Sequence, residues 1–165
     1  MTEPKRDSLL IPESLVQLYH RMAKAFRSPT PRESLAIARL SRVVELHHRA
    51  AATIRVAIER SDTDDQERLL DLSSEETRLA HAVGELVTEL GGSPPHPDEC
   101  SVELPRDARS MSLARDQDEL MRFVREDIEY VARAQRDLGG SPEIPIAIHQ
   151  RLDSIVTNSI PQSAP

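Results

Sequence analysis

Four ionisable side chains interrupt or adjoin the apolar helical seams of this sequence: His47, Glu76, Asp127 and His149. Imidazole and carboxylate groups serve in proteins as acid–base catalysts, as hydrogen-bonded pairs or as ligands of iron, manganese and zinc. A carboxylate buried without a partner costs several kcal/mol, so each group needs another one, a water molecule or a metal ion beside it. Which role applies depends on the helices that position these residues.

His47 and Glu76 are predicted to face each other in a helical hairpin. His47 lies on a seam of apolar residues at spacings of three and four, and Glu76 interrupts the matching seam of the next helix. If the two helices are antiparallel about a turn near residue 62, the register that places Leu40 opposite Val83 also places His47 opposite Glu76. Two independent periodicities therefore bring an imidazole and a carboxylate together.

Asp127 and His149 are predicted to lie near the same level. All helical neighbours of Asp127 are apolar or aromatic, and His149 adjoins the inward seam of the last helix at the level of Tyr130. At about 1.5 Å of rise per residue, Glu76 and Asp127 each lie about 20 Å from the same end of a bundle. The sequence therefore predicts one inward ionisable side chain per helix, clustered near mid-height.

This cluster has two interpretations. In the first, His47 pairs with Glu76, and Asp127 pairs with His149 or Tyr130, so that hydrogen bonds fix the register of an aliphatic core. In the second, His47, Glu76, Asp127 and His149 are the ligands of a metal ion, because such side chains on facing helices suit iron, manganese or zinc. Only the second interpretation requires a cofactor.

Helix start and stop signals predict the elements that carry these residues. Thr30, Pro31 and Glu33 form a capping box at a helix start, and Thr63 with Gln66 offers a second one. The pentapeptide LGGSP follows two of the predicted helices, which suits the left-handed position after a helix end. Four helices are predicted at about 31–60, 64–90, 112–138 and 143–157.

The predicted organisation is therefore all-α. A four-helix bundle occupies residues 31–158, after an N-terminal segment, 1–30, with a short amphipathic helix and before a disordered tail, 159–165. The long Pro-rich connection between the second and third helices could cross the length of the bundle, about 40 Å, since an extended chain spans up to about 3.3 Å per residue. This length favours a crossover over a tight up-and-down link.

Composition excludes several classes of partner. The formal net charge is -7, which argues against nucleic acid and anionic membrane surfaces, and no apolar run approaches the length of a membrane span. We expect a cytoplasmic protein whose aliphatic seams could also support a homodimer or a contact with another protein. No phosphate-binding glycine loop and no Ser-His-Asp arrangement stands out, so no residue is predicted to be catalytic.

Two stretches carry a resemblance to a known family. "EETRLAHAVGELVTELGGSPP", followed after the long connection by "ELMRFVREDIEYVARAQRDL", resembles the ferritin-like four-helix bundles, and among them the small uncharacterised bacterial ferritin-like proteins. The resemblance covers about residues 31–157 and implies a ferritin-like arrangement. It also implies a di-iron site, in which two helices each give a Glu and two others each give a Glu-x-x-His motif.

The residues of that di-iron site are incomplete in this chain. Glu76 matches the Glu of such a motif, but Leu79 occupies the His position, and Glu143 is not followed by a His three residues later. Glu45 and His48 have the right spacing, but arginines one turn either side of Glu45 indicate a solvated salt-bridge face. Ferritin-type iron oxidation is therefore not expected.

The sequence favours one function and leaves another open. The favoured one is a non-catalytic helical bundle that acts as an interaction or scaffold module, with the buried His and carboxylate groups at its centre. The alternative is a metal-binding ferritin-like protein with redox activity, in which His47, Glu76, Asp127 and His149 hold iron, manganese or zinc.

Overall fold

The computed structural model describes residues 28–159, and over that range it contains α-helices and a 3-10 turn but no β-strand. The predicted all-α class is confirmed. The amphipathic helix predicted before residue 28 and the tail predicted after residue 159 lie outside the described residues. The helices are α1 (Pro31–Ile58), α2 (Thr63–Glu89), α3 (Ala108–Leu113), α4 (Gln117–Gly139) and α5 (Ile146–Ser159), with the 3-10 turn at Pro97–Glu99.

The two long helices of the hairpin begin at polar caps. At α1, the Thr30 hydroxyl accepts the Glu33 N–H while the Glu33 carboxylate accepts the Thr30 N–H, which confirms the predicted capping box. At α2 the prediction was wrong by one residue, because Asp62 and not Thr63 is the N-cap. The Gln66 side chain donates instead to the carbonyls of Ile58 and Ser61, and so ties the two helices together at their turn.

The two LGGSP segments end their helices in different ways. After α2, Gly91 has a φ of 86°, and the Gly92 N–H donates to the Val87 carbonyl at 3.0 Å, which is the left-handed helix ending that the sequence predicts. After α4, neither glycine has a positive φ, and the Ser141 N–H donates to the Leu138 carbonyl at 3.0 Å. The same pentapeptide therefore does not impose one turn geometry.

The helices pack as a bundle in which α1 neighbours both α2 and α4. Helices α1 and α4 run antiparallel, since Arg39 meets Glu143, which follows the end of α4, and the later residue His47 meets Gln135 within α4. Helix α5 packs between α2 and α4, so α1 and α5 occupy diagonal corners of the bundle, as do α2 and α4.

The connection between α2 and α4 runs the length of the bundle. Gly92, at its beginning, lies against Ile37 near the start of α1. At its end, the Gln117 amide donates to Asp65 at 2.9 Å, which places the start of α4 beside the start of α2. Helices α2 and α4 are therefore parallel, as a crossover connection requires.

The third predicted helix, 112–138, is corrected to two helices. Ala114 leaves the helical conformation, with φ -55° and ψ 132°, and the chain starts α4 only at Gln117. Asp116 caps α4 by accepting the Glu119 N–H at 2.8 Å. The Arg60 guanidinium donates to the carbonyls of Met111 and Ala114, which supplies the hydrogen bonds that a continuous helix would have made.

Buried polar side chains at mid-height divide the interior into two main apolar clusters. One cluster fills the end where α5 packs and includes Leu40, Val83 and Leu152; the other fills the opposite end and includes Ile54, Leu69 and Met111. None of the helices within residues 28–159 is both long and apolar enough to span a bilayer.

Candidate functional site

His47 is the centre of a buried polar layer that it forms with Glu76 and Gln135. Its side chain, 2% exposed, lies on the α1 face that turns toward both α2 and α4. Its Nδ1 atom lies 2.7 Å from Glu76 Oε2, and its Nε2 atom lies 3.1 Å from Gln135 Oε1. Three helices therefore meet through one imidazole ring.

Glu76 and Gln135 are positioned by the same apolar periodicity that buries His47. Both are 5% exposed, and they approach the ring from α2 and α4 respectively. The predicted pair of His47 with Glu76 is confirmed. Gln135 was missed, because it lies one residue beyond the seam assigned through Ala134 and carries no charge; only the antiparallel register of α1 and α4 reveals it.

The hydrogen bonds of His47 limit what this layer can do chemically. A ring nitrogen that donates its proton in a hydrogen bond has no lone pair for a metal ion. If the Gln135 amide turns its NH2 group toward the ring instead, the Nε2 lone pair is used by that N–H. In both arrangements each ring nitrogen is engaged by a protein side chain.

Asp127 lies on the same face of α4 as Gln135 but about two turns away along the helix. It is 1% exposed, and one of its oxygens, Oδ1, accepts the backbone N–H of Arg106 at 2.9 Å. The predicted partners, His149 and Tyr130, are therefore wrong. The partner is the backbone of the crossover. The path of this segment could not be predicted, because its sequence has no helical periodicity.

Burial controls the electrostatics of Asp127. It raises the pKa of this carboxyl to about 6, and the hydrogen bond from the Arg106 N–H opposes that rise only in part. The second oxygen, Oδ2, makes no hydrogen bond with residues 28–159. Thr53 lies beside the carboxyl and lowers its pKa slightly, but its hydroxyl donates to the Ala50 carbonyl at 3.0 Å.

His149 does not reach the polar layer. Its Nε2 atom lies 3.1 Å from the Ser141 carbonyl, so the ring closes the turn between α4 and α5. Glu143 in the same turn is buried and forms an ion pair with Arg39 at 2.5 Å. This end of the bundle is held to α1 by charge, separately from the His47 layer.

The predicted four-residue cluster does not form. His47 pairs with Glu76, but Asp127 binds the backbone of the crossover and His149 binds the turn between α4 and α5. Within residues 28–159, no three His, Cys, Asp or Glu side chains are grouped so that they could share a metal ion. The register prediction placed residues at similar heights, but the side chains point to different neighbours around the bundle.

Glu45 has a role that the sequence did not predict. Its carboxylate accepts the N–H groups of Ser101 and Val102, at 3.2 and 3.3 Å, and so fixes the crossover on α1. The prediction of a salt-bridge face with the neighbouring arginines is therefore wrong for Glu45. Glu45 and Asp127 together hold two points of the crossover through its backbone.

Two clefts open beside α1 on the side of α4 and the crossover. The larger, about 650 Å³, lies between α1 and residues 102–110, and Thr53 and Arg106 form part of its wall. The smaller, about 380 Å³, lies between α1 and α4 and includes Tyr130 and Leu138. Volumes of a few hundred Å³ are typical of sites that bind small molecules or side chains of a partner.

Comparisons of the chain with protein-family models, with curated proteins and with solved structures found no match.

Proposed function

We propose that this protein is a non-catalytic helical interaction module with a ferritin-like arrangement, in which His47, Glu76 and Gln135 fix the register of three helices. The observation that carries the proposal is the engagement of both His47 ring nitrogens by side chains from two other helices. A buried polar residue that has partners in only one register penalises every other register, because any slip leaves it unpaired.

The path of the chain supports the ferritin-like part of the proposal. The long crossover makes α2 parallel to α4, and the diagonal placement of these two helices matches the arrangement that such bundles use. A di-iron protein of this class uses carboxylate and imidazole ligands at the centre. In this chain the central place holds a hydrogen-bonded His, Glu and Gln.

The chemistry of the polar layer favours a structural role over the metal-binding alternative. A structural or catalytic zinc site takes three or four protein ligands around one centre. Here the layer offers one imidazole and one carboxylate that already bond to each other, and the third member is an amide. Amides are weak ligands for iron, manganese and zinc in comparison with imidazole and carboxylate.

Metal analysis tests this proposal against the alternative. The full chain is purified without chelators and without affinity metal, loaded anaerobically with Fe(II), Mn(II) or Zn(II), desalted and analysed for metal. We expect less than about 0.1 metal ion per chain, since the ligands of a tight site are not grouped.

Two variants make the metal result decisive. Glu76→Gln removes the carboxylate of the layer, whereas Glu75→Gln changes the adjacent residue, which pairs with Arg78 on the surface. About one metal ion per chain in the wild type and in Glu75→Gln, with loss in Glu76→Gln, would reject the proposal and establish the metal alternative.

A further inference from the structure

One part of the crossover, residues 101–106, covers apolar surface between α1 and α4. We call this segment the strap; it contains neither helix nor strand. Its Val102 and Leu104 side chains, two positions apart, pack on a buried apolar cluster that includes Leu46 of α1 and Val131 of α4. The strap therefore keeps water from a part of the interior that lies between two helices.

The strap is held at each end by a carboxylate that binds its backbone. Glu45 of α1 accepts two N–H groups at the beginning of the strap, and Asp127 of α4 accepts the Arg106 N–H at its end, at 2.9 Å. The Arg106 guanidinium pairs with Glu126 and lies 4.4 Å from the centre of the Phe123 ring. The ion pair is 38% exposed on both sides, and partly exposed contacts of these kinds contribute little to stability.

The strap is not closely packed along its whole length. The cleft of about 650 Å³ lies between α1 and residues 102–110, with Thr53 and Arg106 in its wall. Segments with few buried contacts open locally at a lower free energy than global unfolding requires. The strap is therefore a segment that can leave its seat while the helices stay folded.

The Asp127 end of the strap is poorly suited to a charged carboxylate. Asp127 is 1% exposed, and its Oδ2 atom makes no hydrogen bond with residues 28–159. Burial raises the pKa of this carboxyl to about 6, although three groups also act on it from the elements packed around it. Arg106 of the crossover and the Thr53 hydroxyl of α1 favour the ionised form, whereas Glu126 of α4 opposes it.

We propose that the strap is a proton-controlled cover, which stays seated while Asp127 carries its proton and opens when this carboxyl releases the proton to solvent. In the seated strap the ionised carboxyl has one hydrogen bond and no water, whereas opening lets water solvate both oxygens. The seated state therefore binds the proton more tightly than the open state, and a rise in pH shifts the equilibrium toward opening. Opening uncovers the apolar cluster beneath Val102 and Leu104.

Hydrogen exchange of the full chain tests this proposal. Exchange is followed residue by residue by NMR at pH 4.5 and pH 7.5, and the rates are corrected for the intrinsic dependence of amide exchange on pH. The reporters are the N–H groups of Ser101, Val102 and Arg106, which bind carboxylates in the seated strap. We expect their protection to fall about tenfold from the lower to the higher pH.

Three variants assign the effect to Asp127. Asp127→Asn keeps an oxygen that can accept the Arg106 N–H but cannot ionise, so the reporters should change by less than about twofold between the two pH values. Glu45→Gln loosens the other end of the strap, and should lower protection at both pH values while the tenfold difference remains. Glu129→Gln, which changes an exposed carboxylate of α4, should behave as wild type.

Amides in the middle of α1 and α2 provide the internal comparison. They should exchange at least about tenfold more slowly than the reporters at both pH values, because only global unfolding exposes them. Equal protection of the reporters and these helical amides would overturn the proposal, since the strap would then open only when the whole protein unfolds.

Three other results would also overturn the proposal. The first is protection of the reporters that does not change with pH in the wild type. The second is the same change in Asp127→Asn as in the wild type, and the third is loss of the change in Glu45→Gln, which would place the titrating group at the other end of the strap. None of these results bears on the metal-content test, so the proposed function and the proton-controlled strap can fail separately.

Discussion

Two of the buried carboxylates within residues 28–159, Glu76 and Asp127, have different kinds of partner. Glu76 faces the side chain of His47 in a layer to which three helices contribute. Asp127 accepts a backbone N–H from the crossover, and its second oxygen makes no hydrogen bond with residues 28–159. One carboxylate is matched by a side chain of complementary chemistry, and the other is held by main chain.

This difference separates two structural tasks. A hydrogen bond between two side chains forms only when those residues face each other, so the His47 layer fixes the register of α1, α2 and α4. A hydrogen bond to a backbone N–H does not depend on the side chain of Arg106, so Asp127 fixes the path of the crossover. Burial without full hydrogen bonding also explains why the pKa of Asp127 is raised to about 6.

The largest effect is expected when Glu76 is removed. In Glu76→Ala, the buried His47 ring loses its 2.7 Å partner and a cavity forms beside it. We expect the free energy of unfolding to fall by about 3 kcal/mol or more, since truncating one member of a buried pair leaves the other unpaired. Urea denaturation followed by circular dichroism measures the change.

Glu75→Ala is the matched control for that variant. Glu75 forms an ion pair with Arg78 one turn along α2, and Arg78 is exposed. Losing a surface pair of this kind should cost less than about 1 kcal/mol. If Glu75→Ala and Glu76→Ala lower the free energy of unfolding equally, the buried layer does not stabilise the protein more than a surface ion pair does.

The second effect is a dependence of stability on pH that comes from Asp127. The unfolded chain releases this proton near the ordinary value of 3.8, whereas the folded protein keeps it until about pH 6. Between these values the folded state binds more protons, so stability falls as pH rises and then becomes level. As pH rises from 4 to 7, the free energy of unfolding of Asp127→Asn should therefore increase by about 1 to 3 kcal/mol relative to that of wild type.

Unfolding curves measured at half-unit steps of pH test this prediction. At each pH, the free energy of unfolding of wild type is subtracted from that of Asp127→Asn. This difference isolates the carboxyl, because Arg106 and Glu126 are present in both proteins. Asp71→Asn, which changes an exposed residue of α2, should give a curve parallel to that of wild type. If the difference in the free energy of unfolding between Asp127→Asn and wild type stays constant across pH, Asp127 is not the source of the pH dependence.

Local sequence signals were sufficient to predict the hairpin and its polar pair. The capping box at Thr30 and the matching apolar spacings of α1 and α2 involve residues close in sequence, and they fix which residues face each other. His47 opposite Glu76 follows from these signals. Helix class and hairpin register can therefore be derived without knowledge of the tertiary structure.

The partners supplied by the crossover could not be predicted in the same way. Asp127 and Glu45 bind backbone N–H groups of residues 101–106, and backbone groups carry no residue-specific signal. The early end of α3 depends likewise on Arg60, which reaches across from the end of α1. These contacts are set by the three-dimensional path of a segment that lacks helical periodicity.

The smallest expected effect concerns Thr53, which lines the larger cleft and lies beside Asp127. Its hydroxyl helps to keep the carboxyl charged, so Thr53→Val should raise the midpoint of the Asp127 pH transition by a few tenths of a unit. Stability below that transition should change by less than about 1 kcal/mol, because the substitution conserves volume and removes one hydrogen bond to Ala50. If Thr53→Val changes the pH dependence of stability equally in the Asp127→Asn background, where no carboxyl remains, Thr53 acts on stability by another route. A shift that Thr53→Val causes in the wild-type background but not in the Asp127→Asn background assigns the titration to the contact between the two residues.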